Sequence, residues 1–398
     1  MKGLIPFLRN NARLLSFGFA LTFFSSFGQT FLLSLYIPEI APVIGFTSGK
    51  MGSLYAGATL GSAAILSWAG RFIDYIDLKK YSLLVVGGSV IALLILSQAS
   101  HWILVLVGLL LLRLTGQGLM GHTSVTTMSR YFIEARGKAI SIATLGFPLG
   151  EAALPLIVAL SIGFSGWRLT LIFTAVLVAF ALSALVLLLL QKVDTKPPLQ
   201  KLKRKEQPRD GKMSYFLGKR AFWIIAPNVF LMGFVNTAVF FFQVSIGESK
   251  GWSTEWVAGS LAAFALASGL SMFTAGPLVD RFTAKKLFPF YFAPYIIGLV
   301  LFGSFTFPVI YPVALFLMGL SNGAGSTIKS ALQAEIFGTT FLGSVRSLFT
   351  VLMVVSTALG PLIFGLFIDA GISYNLLLYA SAGVILIAVM QSFRVLRL

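Results

Sequence analysis

Two ionisable residues stand where the chain has almost no others: Arg113 in LLRLTGQGLMGHTS and Glu151 in GFPLGEAALP. Each lies about a dozen residues, or ~18 Å at 1.5 Å per residue, from the start of an apolar run. A charge at that depth of a bilayer costs on the order of 2.5–3.5 kcal/mol on insertion scales, so such residues bind solutes, carry protons or neutralise one another. If their helices are neighbours, Arg113 and Glu151 are expected to approach each other. An anion competing for Arg113 would then free Glu151 to take up a proton, coupling the two movements. A static ion pair is the plainer alternative. Amides inside similar runs, Gln29, Gln117, Asn236 and Asn322, are further candidates for contact with a polar solute, as is Asn228. His122 is read as a packing histidine, and Lys329 as a side chain that snorkels toward one end of its run.

These readings require membrane helices to position the residues, and the composition supplies them. Hydrophobic residues make up 57% and charged residues 11%, far from a soluble average. A bilayer crossing needs about 20 apolar residues. Charge-free runs of that length occur at Leu14–Pro38, Met51–Gly70, Leu169–Gln191, Ala221–Gly247, Trp256–Val279, Ser347–Ile368 and Ala370–Phe393. Tyr81–Leu112 and Leu287–Ile328 are each long enough for two, with breaks at Ser100-His101-Trp102 and near Pro308 and Pro312. Ala139–Phe164, interrupted by Glu151, completes twelve expected spans. The first run is longer than a signal-peptide core and lacks a small-residue cleavage site.

The chain also repeats itself. Gly70–Lys80 (GRFIDYIDLKK) returns as Gly276–Lys286 (GPLVDRFTAKK), a shift of 206 (276 − 70) that also carries Gly45 onto Gly251, Gly137 onto Gly343 and Pro155 onto Pro361. A constant shift over such a distance marks an internal duplication. The expected fold is therefore an all-α integral membrane protein, its twelve transmembrane helices arranged as two pseudo-symmetric six-helix bundles. The boundaries fall at 1–191 and 221–398, joined by a basic linker at 192–220 that holds Lys201–Lys205 and is expected to lie against anionic headgroups.

The formal charge is +17, yet its distribution argues against nucleic acid. With the N-terminus inside, only Lys50, Arg168 and Lys250 fall outside, and Arg113 and Lys329 lie within spans; the remaining cations sit at inner ends and loops. That is the positive-inside bias, and it places both termini in the cytoplasm of a cell (inner) membrane. No phosphate-cradling glycine loop, metal-ligand cluster or nucleophile–base set is present, so no cofactor and no enzymatic activity are expected. There are 0 cysteines, which excludes thiolate chemistry.

Taken together, the GxxxD…KK loops, the basic centre and the two halves resemble the major facilitator superfamily over essentially the whole chain. That family's loop between its second and third helices reads roughly G-x-x-x-D-R-x-G-R-K. Gly70 and Asp74 match it, Tyr75 and Asp77 depart from it, and Lys79 and Lys80 come one place late. Gly276, Asp280 and Arg281 match more closely. Arg113, Gly116 and Gly118 meet the family's fourth-helix pattern. Gly146–Glu151 meets the antiporter GPxxGG pattern poorly, which counts against a multidrug exporter. RGKAISIATLGFPLGEAALP, Trp167-Arg168 and GSVRSLFTVLMVVSTALGPLIFG are similar to the oxalate/formate and monocarboxylate branch, although that branch's membrane cations in the eighth and eleventh helices are missing.

The resemblance implies a secondary transporter working by alternating access around a cavity lined by the first, fourth, seventh and tenth helices. Its partners would be a small organic solute such as a carboxylate, the lipid bilayer and a coupling ion such as the proton, and it would act as a monomer. Efflux of drug-like or siderophore-like compounds is the alternative transporter reading. A solute sensor that binds without flux is the alternative of another class.

The resemblance further implies a cytoplasmic gate made of Gly70, Asp74, Lys79 and Lys80 with Gly276, Asp280 and Arg281. Asp74 would face the start of the eleventh helix near Ser344, and Asp280 that of the fifth near Gly137, because a carboxylate stabilises the positive end of a helix dipole. Asp74→Asn is then expected to raise cytoplasmic labelling of cysteines introduced into this cysteine-free chain. Unchanged labelling would reduce Asp74 to a loop residue.

Overall fold

Without water in the hydrocarbon core, an apolar run must satisfy its backbone hydrogen bonds internally, which selects the helix. The computed structural model describes residues 4–196, 213–338 and 340–397, and no strand occurs among the described residues. The basic run Lys201–Lys205 lies outside them.

In chain order the spans are α1 (Leu4–Phe24), α2 (Ser48–Ala69), α3 (Leu78–Ser97), α4 (Trp102–Tyr131), α5 (residues 136–165) and α6 (residues 167–189). They continue as α7 (Arg220–Ser249), α8 (Thr254–Phe282), α9 (Ala293–Ser304), α10 (Ile310–Phe337), α11 (Leu342–Asp369) and α12 (Tyr374–Ser392). Between α5 and α6 the chain turns at Gly166, whose φ of 78° and ψ of 160° suit only glycine.

Contacts divide the chain into two units. One holds Met1–Phe46 and Gly57–Leu202, the other Thr47–Ala56 and Lys203–Leu398. The start of α2 thus groups with the second half, and close backbone approach explains it. A Cβ on Gly52 would collide with the Pro361 carbonyl oxygen, and one on Gly365 with that of Ser48. The Asp369 carboxylate accepts from Gly49 N at 2.9 Å, satisfying a free amide of the α2 start.

In the first unit, α1 packs against both α4 and α5. Small residues allow it: a Cβ on Gly146 would collide with the Phe19 carbonyl oxygen, and one on Gly150 with Ser26 Oγ. Ser124 Oγ closes the α4 side on Gly18 O at 2.9 Å. In the second unit α8 packs on α10 and α7 on α11. Gly323 lies against Ser268, and Gly360 against Phe234, in the same glycine-to-backbone manner. Trp252 and Trp256 donate their indole N–H groups to the carbonyls of Thr306 and Pro308, at 2.5 and 2.9 Å. These amphipathic rings fix the turn between α9 and α10 at the edge of the bundle.

The duplication is visible inside each unit. Gly45 and Gly251 both take positive φ, 65° and 76°, immediately before α2 and α8. Pro155 and Pro361 both sit inside helices. The repeated loop diverges at one point. Asp77 caps α3 locally by accepting from Lys80 N at 3.1 Å, whereas its counterpart Thr283 (φ 71°) makes no side-chain cap. There the amides of Ala284 and Lys285 are taken by Glu335 of α10, at 2.8 and 3.2 Å.

Partial burial pushes the Asp77 carboxyl up, but the Thr195 hydroxyl, the Lys80 and Lys79 amides and the Lys80 charge together hold it below the ordinary carboxylate value. A depressed folded-state value means the stabilisation is complete above the unfolded value of about 4 and is lost as pH falls through the folded one. Asp77→Ala is expected to cost about 1 kcal/mol of stability near neutral pH. The difference from the parent should shrink below about pH 4 in thermal unfolding of the purified protein.

Candidate functional site

Helix α1 does not run straight through. Ser25–Gly28 form a 3-10 turn and Gln29 is extended (φ −85°, ψ 152°) before Thr30–Leu33 resume the helix. Polar side chains compete for the backbone here: Ser25 Oγ donates to Thr22 O at 2.6 Å. Opposite, Arg113–Met120 of α4 are π-helical. Thr115 contributes by donating to Leu111 O at 2.7 Å and accepting from Ser89 of α3 at 2.9 Å.

The two irregular stretches meet. A Cβ on Gly28 would lie 2.5 Å from both Gln117 N and Leu112 O, and the Cα atoms of Gly28 and Gly116 face each other. Irregular backbone at membrane depth persists only where protein or water covers it, and π-helical turns recur at functional sites. Four polar residues gather at this junction. Arg113 is 4% exposed and donates from Nη1 to Thr30 Oγ1 at 3.3 Å. Gln29 and Gln117 are half-buried, one on each side of the crossing.

The expected approach of Arg113 to Glu151 is not found. The two form no ion pair; the salt bridge seen among the described residues of this unit joins Arg130 and Asp74. The reason is packing: beside Glu151 the glycines of α5 turn their face onto α1, which also packs on α4. Glu151, one residue past Gly150, is partly exposed instead. His122 behaves as a packing histidine, its Nε2 standing 3.1 Å from Gly70 O.

The second unit assembles a different polar set. Helix α7 carries Asn228, Asn236 and Gln243 at spacings of two turns, which aligns them on one face. Each amide oxygen accepts from a tyrosine: Asn228 from Tyr291, Asn236 from Tyr295 at 3.3 Å and Gln243 from Tyr311 at 2.9 Å. Lys329 does not simply snorkel, since its ammonium lies 5.9 Å over the Tyr291 ring. Asn228 Nδ2, buried beside that ring, has no partner among the described residues. Asn322 donates to Ser268 of α8 at 3.1 Å. The sequence singled out Asn228 and Asn236 of α7 but not Gln243 or the tyrosines. The two-turn spacing was the available signal for the shared face.

At the repeated loops, Asp74 Oδ1 accepts from Arg130 Nη2 at 2.8 Å, and Arg281 stacks 5.1 Å over Phe282. Asp280 is exposed, Lys79 is half-buried and Lys80 is exposed. Arg130 and Glu335, which organise the two loops, come from α4 and α10 and left no local mark in the sequence.

The Gly28 crossing yields a test. Gly28→Ala is expected to cost about 1–3 kcal/mol by overpacking backbone against backbone. Gly87→Ala, inside α3 with nothing within 4 Å of the added methyl, should lose no stability and gain up to about 1 kcal/mol from the better helix residue. Thermal unfolding of the two variants beside the parent checks this.

The Major Facilitator Superfamily profile matches residues 18–262 and 257–397. Among solved structures, the nucleoside transporter NupG aligns with a TM-score of 0.77 and 14% identity, over 98% of this chain and 99% of NupG. A point mutant of NupG aligns with a TM-score of 0.75 and 16% identity, over 96% of this chain and 100% of the mutant. A bacterial homolog of the human lysosomal transporter Spinster, in an inward-facing and unoccupied conformation, aligns with a TM-score of 0.71 and 16% identity, over 97% of each chain. No curated protein sequence matches. At these identities the structures share the fold, and it is the profile, spanning both halves of a duplicated all-helical chain, that assigns the family: the chain belongs to the Major Facilitator Superfamily and is a transporter rather than an enzyme.

Proposed function

We propose that the chain is a secondary active transporter of a small organic solute bearing a carboxylate, working by alternating access and driven by a coupled proton or ion. The observation that carries this reading is a buried guanidinium, Arg113, at the crossing of a broken α1 with the π-helical stretch of α4. Its planar fork suits a carboxylate, and a guanidinium in a span is a solute contact by default. Gln29 and Gln117 would supply neighbouring amide contacts, and Asn236 and Asn322 would serve the second half. The resemblance to the oxalate/formate branch supports the same solute class. The loop residues Gly70, Asp74, Lys79, Lys80, Gly276, Asp280 and Arg281 are proposed as the gate on the cytoplasmic side, the side of both termini. Glu151 is proposed as the coupling carboxyl, acting without direct contact to Arg113.

A neutral polar solute is the second reading, favoured by the amides and hydroxyls at the α1–α4 crossing and along α7. Counterflow in proteoliposomes separates the two, using a panel of organic acids, nucleosides and amphiphiles with and without a pH gradient. Under the first reading an organic acid exchanges, and Arg113→Gln lowers its exchange at least tenfold while Arg113→Lys retains part of it. Nucleoside exchange insensitive to Arg113→Gln would favour the second. Saturable binding without flux for any compound would leave a sensor.

Glu151→Gln is expected to abolish the stimulation by a pH gradient and spare exchange. Wild-type pH dependence in that variant would place coupling elsewhere.

A further inference from the structure

The second copy of the repeated loop borders a basic hollow that the transport reading does not use. Thr283, Lys285, Lys286, Phe290 and Leu396 line a space of about 540 Å³. Phe290, 59% exposed, is also a wall of a groove of about 230 Å³ between α8 and α10. Most of that groove is apolar, including Leu278, Leu320 and Ile328, with Ser271, Thr274 and Tyr291 as its polar members. The hollow and the groove therefore adjoin at one aromatic ring, basic on one side and apolar on the other.

The far edge of the hollow is built by the 3-10 turn Phe393–Arg397. Val395 is buried and the Phe393 ring meets Phe290 edge-on at 5.4 Å, which holds the turn in place. Arg394 and Arg397 are exposed on it. Two acids are near. Glu335 is occupied by the backbone amides of Ala284 and Lys285, and Asp280 is exposed one turn earlier in the chain. Where the first copy has Asp77, this one has Thr283, so its lysine pair lacks the acid that accompanies Lys79 and Lys80. Thr283 also holds φ 71° and ψ 151°, a region that non-glycine residues seldom adopt and that clusters at ligand sites.

We propose that the hollow and groove together form a site for one anionic phospholipid, its phosphate against Lys285 and Lys286 and an acyl chain in the groove past Phe290. The order of chemistry along the site, cations first and hydrocarbon next, is that of the lipid itself. Basic pockets between spans recruit anionic headgroups of the cytoplasmic leaflet, the side on which the distribution of Lys and Arg places this loop. A free anion would have no use for the groove, whose volume of about 230 Å³ is below the ~300–1,000 Å³ of a small-molecule pocket.

Native mass spectrometry of the full chain, released from nanodiscs of equimolar phosphatidylcholine and phosphatidylglycerol, tests this. Phosphatidylglycerol should be retained preferentially, and Lys285→Gln with Lys286→Gln should weaken its retention by about tenfold or more. Lys79→Gln with Lys80→Gln should leave retention unchanged, and both double variants should stay folded because the altered ammonium groups are not part of the core. Leu278→Trp, which fills the groove, should weaken retention with every charge intact. Equal retention of the two lipids, or indifference to the Lys285 and Lys286 changes, overturns the proposal. Displacement of the lipid by inorganic phosphate as readily as by phosphatidylglycerol would reduce the site to an anion contact and overturn it as well. None of these readouts depends on which solute is transported.

Discussion

The first unit depends on backbone touching backbone at Gly28 and Gly116. Two spans that carry Gln29, Thr30, Arg113 and Gln117 can come this close only because neither has a side chain at the crossing. The closeness has a cost in regular structure: α1 slips into a 3-10 turn and an extended residue, and α4 widens into a π-helix. In hydrocarbon those departures are tolerable because each irregular stretch covers the other. The same contact brings Thr30 within reach of Arg113. Close packing and a desolvated cation are thus two results of one glycine pair.

Much of the architecture was legible in the sequence because the bilayer imposes its rule span by span. Apolar length, the breaks at Ser100–Trp102 and near Pro308, and the shift of 206 (276 − 70) between the copies each report on a local stretch. The positive-φ glycines Gly45 and Gly251 show that the shift carries backbone geometry as well as letters. What could not be read was adjacency between spans. Arg113 and Glu151 have comparable depths, yet the α5 glycines beside Glu151 face α1 rather than Arg113. The tyrosines that hold Asn228, Asn236 and Gln243 come from the turn before α9 and from α9 and α10. Apolar runs do not encode which neighbours they choose.

The second unit solves its polar burden differently. Where the first concentrates it at one crossing, the second spreads it along α7 as amide–hydroxyl pairs under a mostly aromatic core. Tyr291 serves two groups at once, donating to Asn228 and lying beneath the Lys329 ammonium. Phenylalanine in its place would keep the packing and orphan an amide oxygen, which in a buried setting costs more than the hydrogen bond itself contributes.

The unequal capping of the two repeated loops bears on how the protein is made. Asp77 reaches its amide three residues away, so the start of α3 can be sealed as soon as its own loop leaves the ribosome. The start of Ala284–Leu287 waits for Glu335, about fifty positions later, and stays open until α9 and α10 have entered the bilayer. Duplicated segments that share their glycine, aspartate and lysine pair thereby acquire different places in the order of assembly: the first closes locally during synthesis, and the second closes later, as a long-range event. A pause in translation between residues 287 and 335 would leave only the second loop unsealed, exposing its lysines and free amides to the headgroup layer before the bundle exists to shield them.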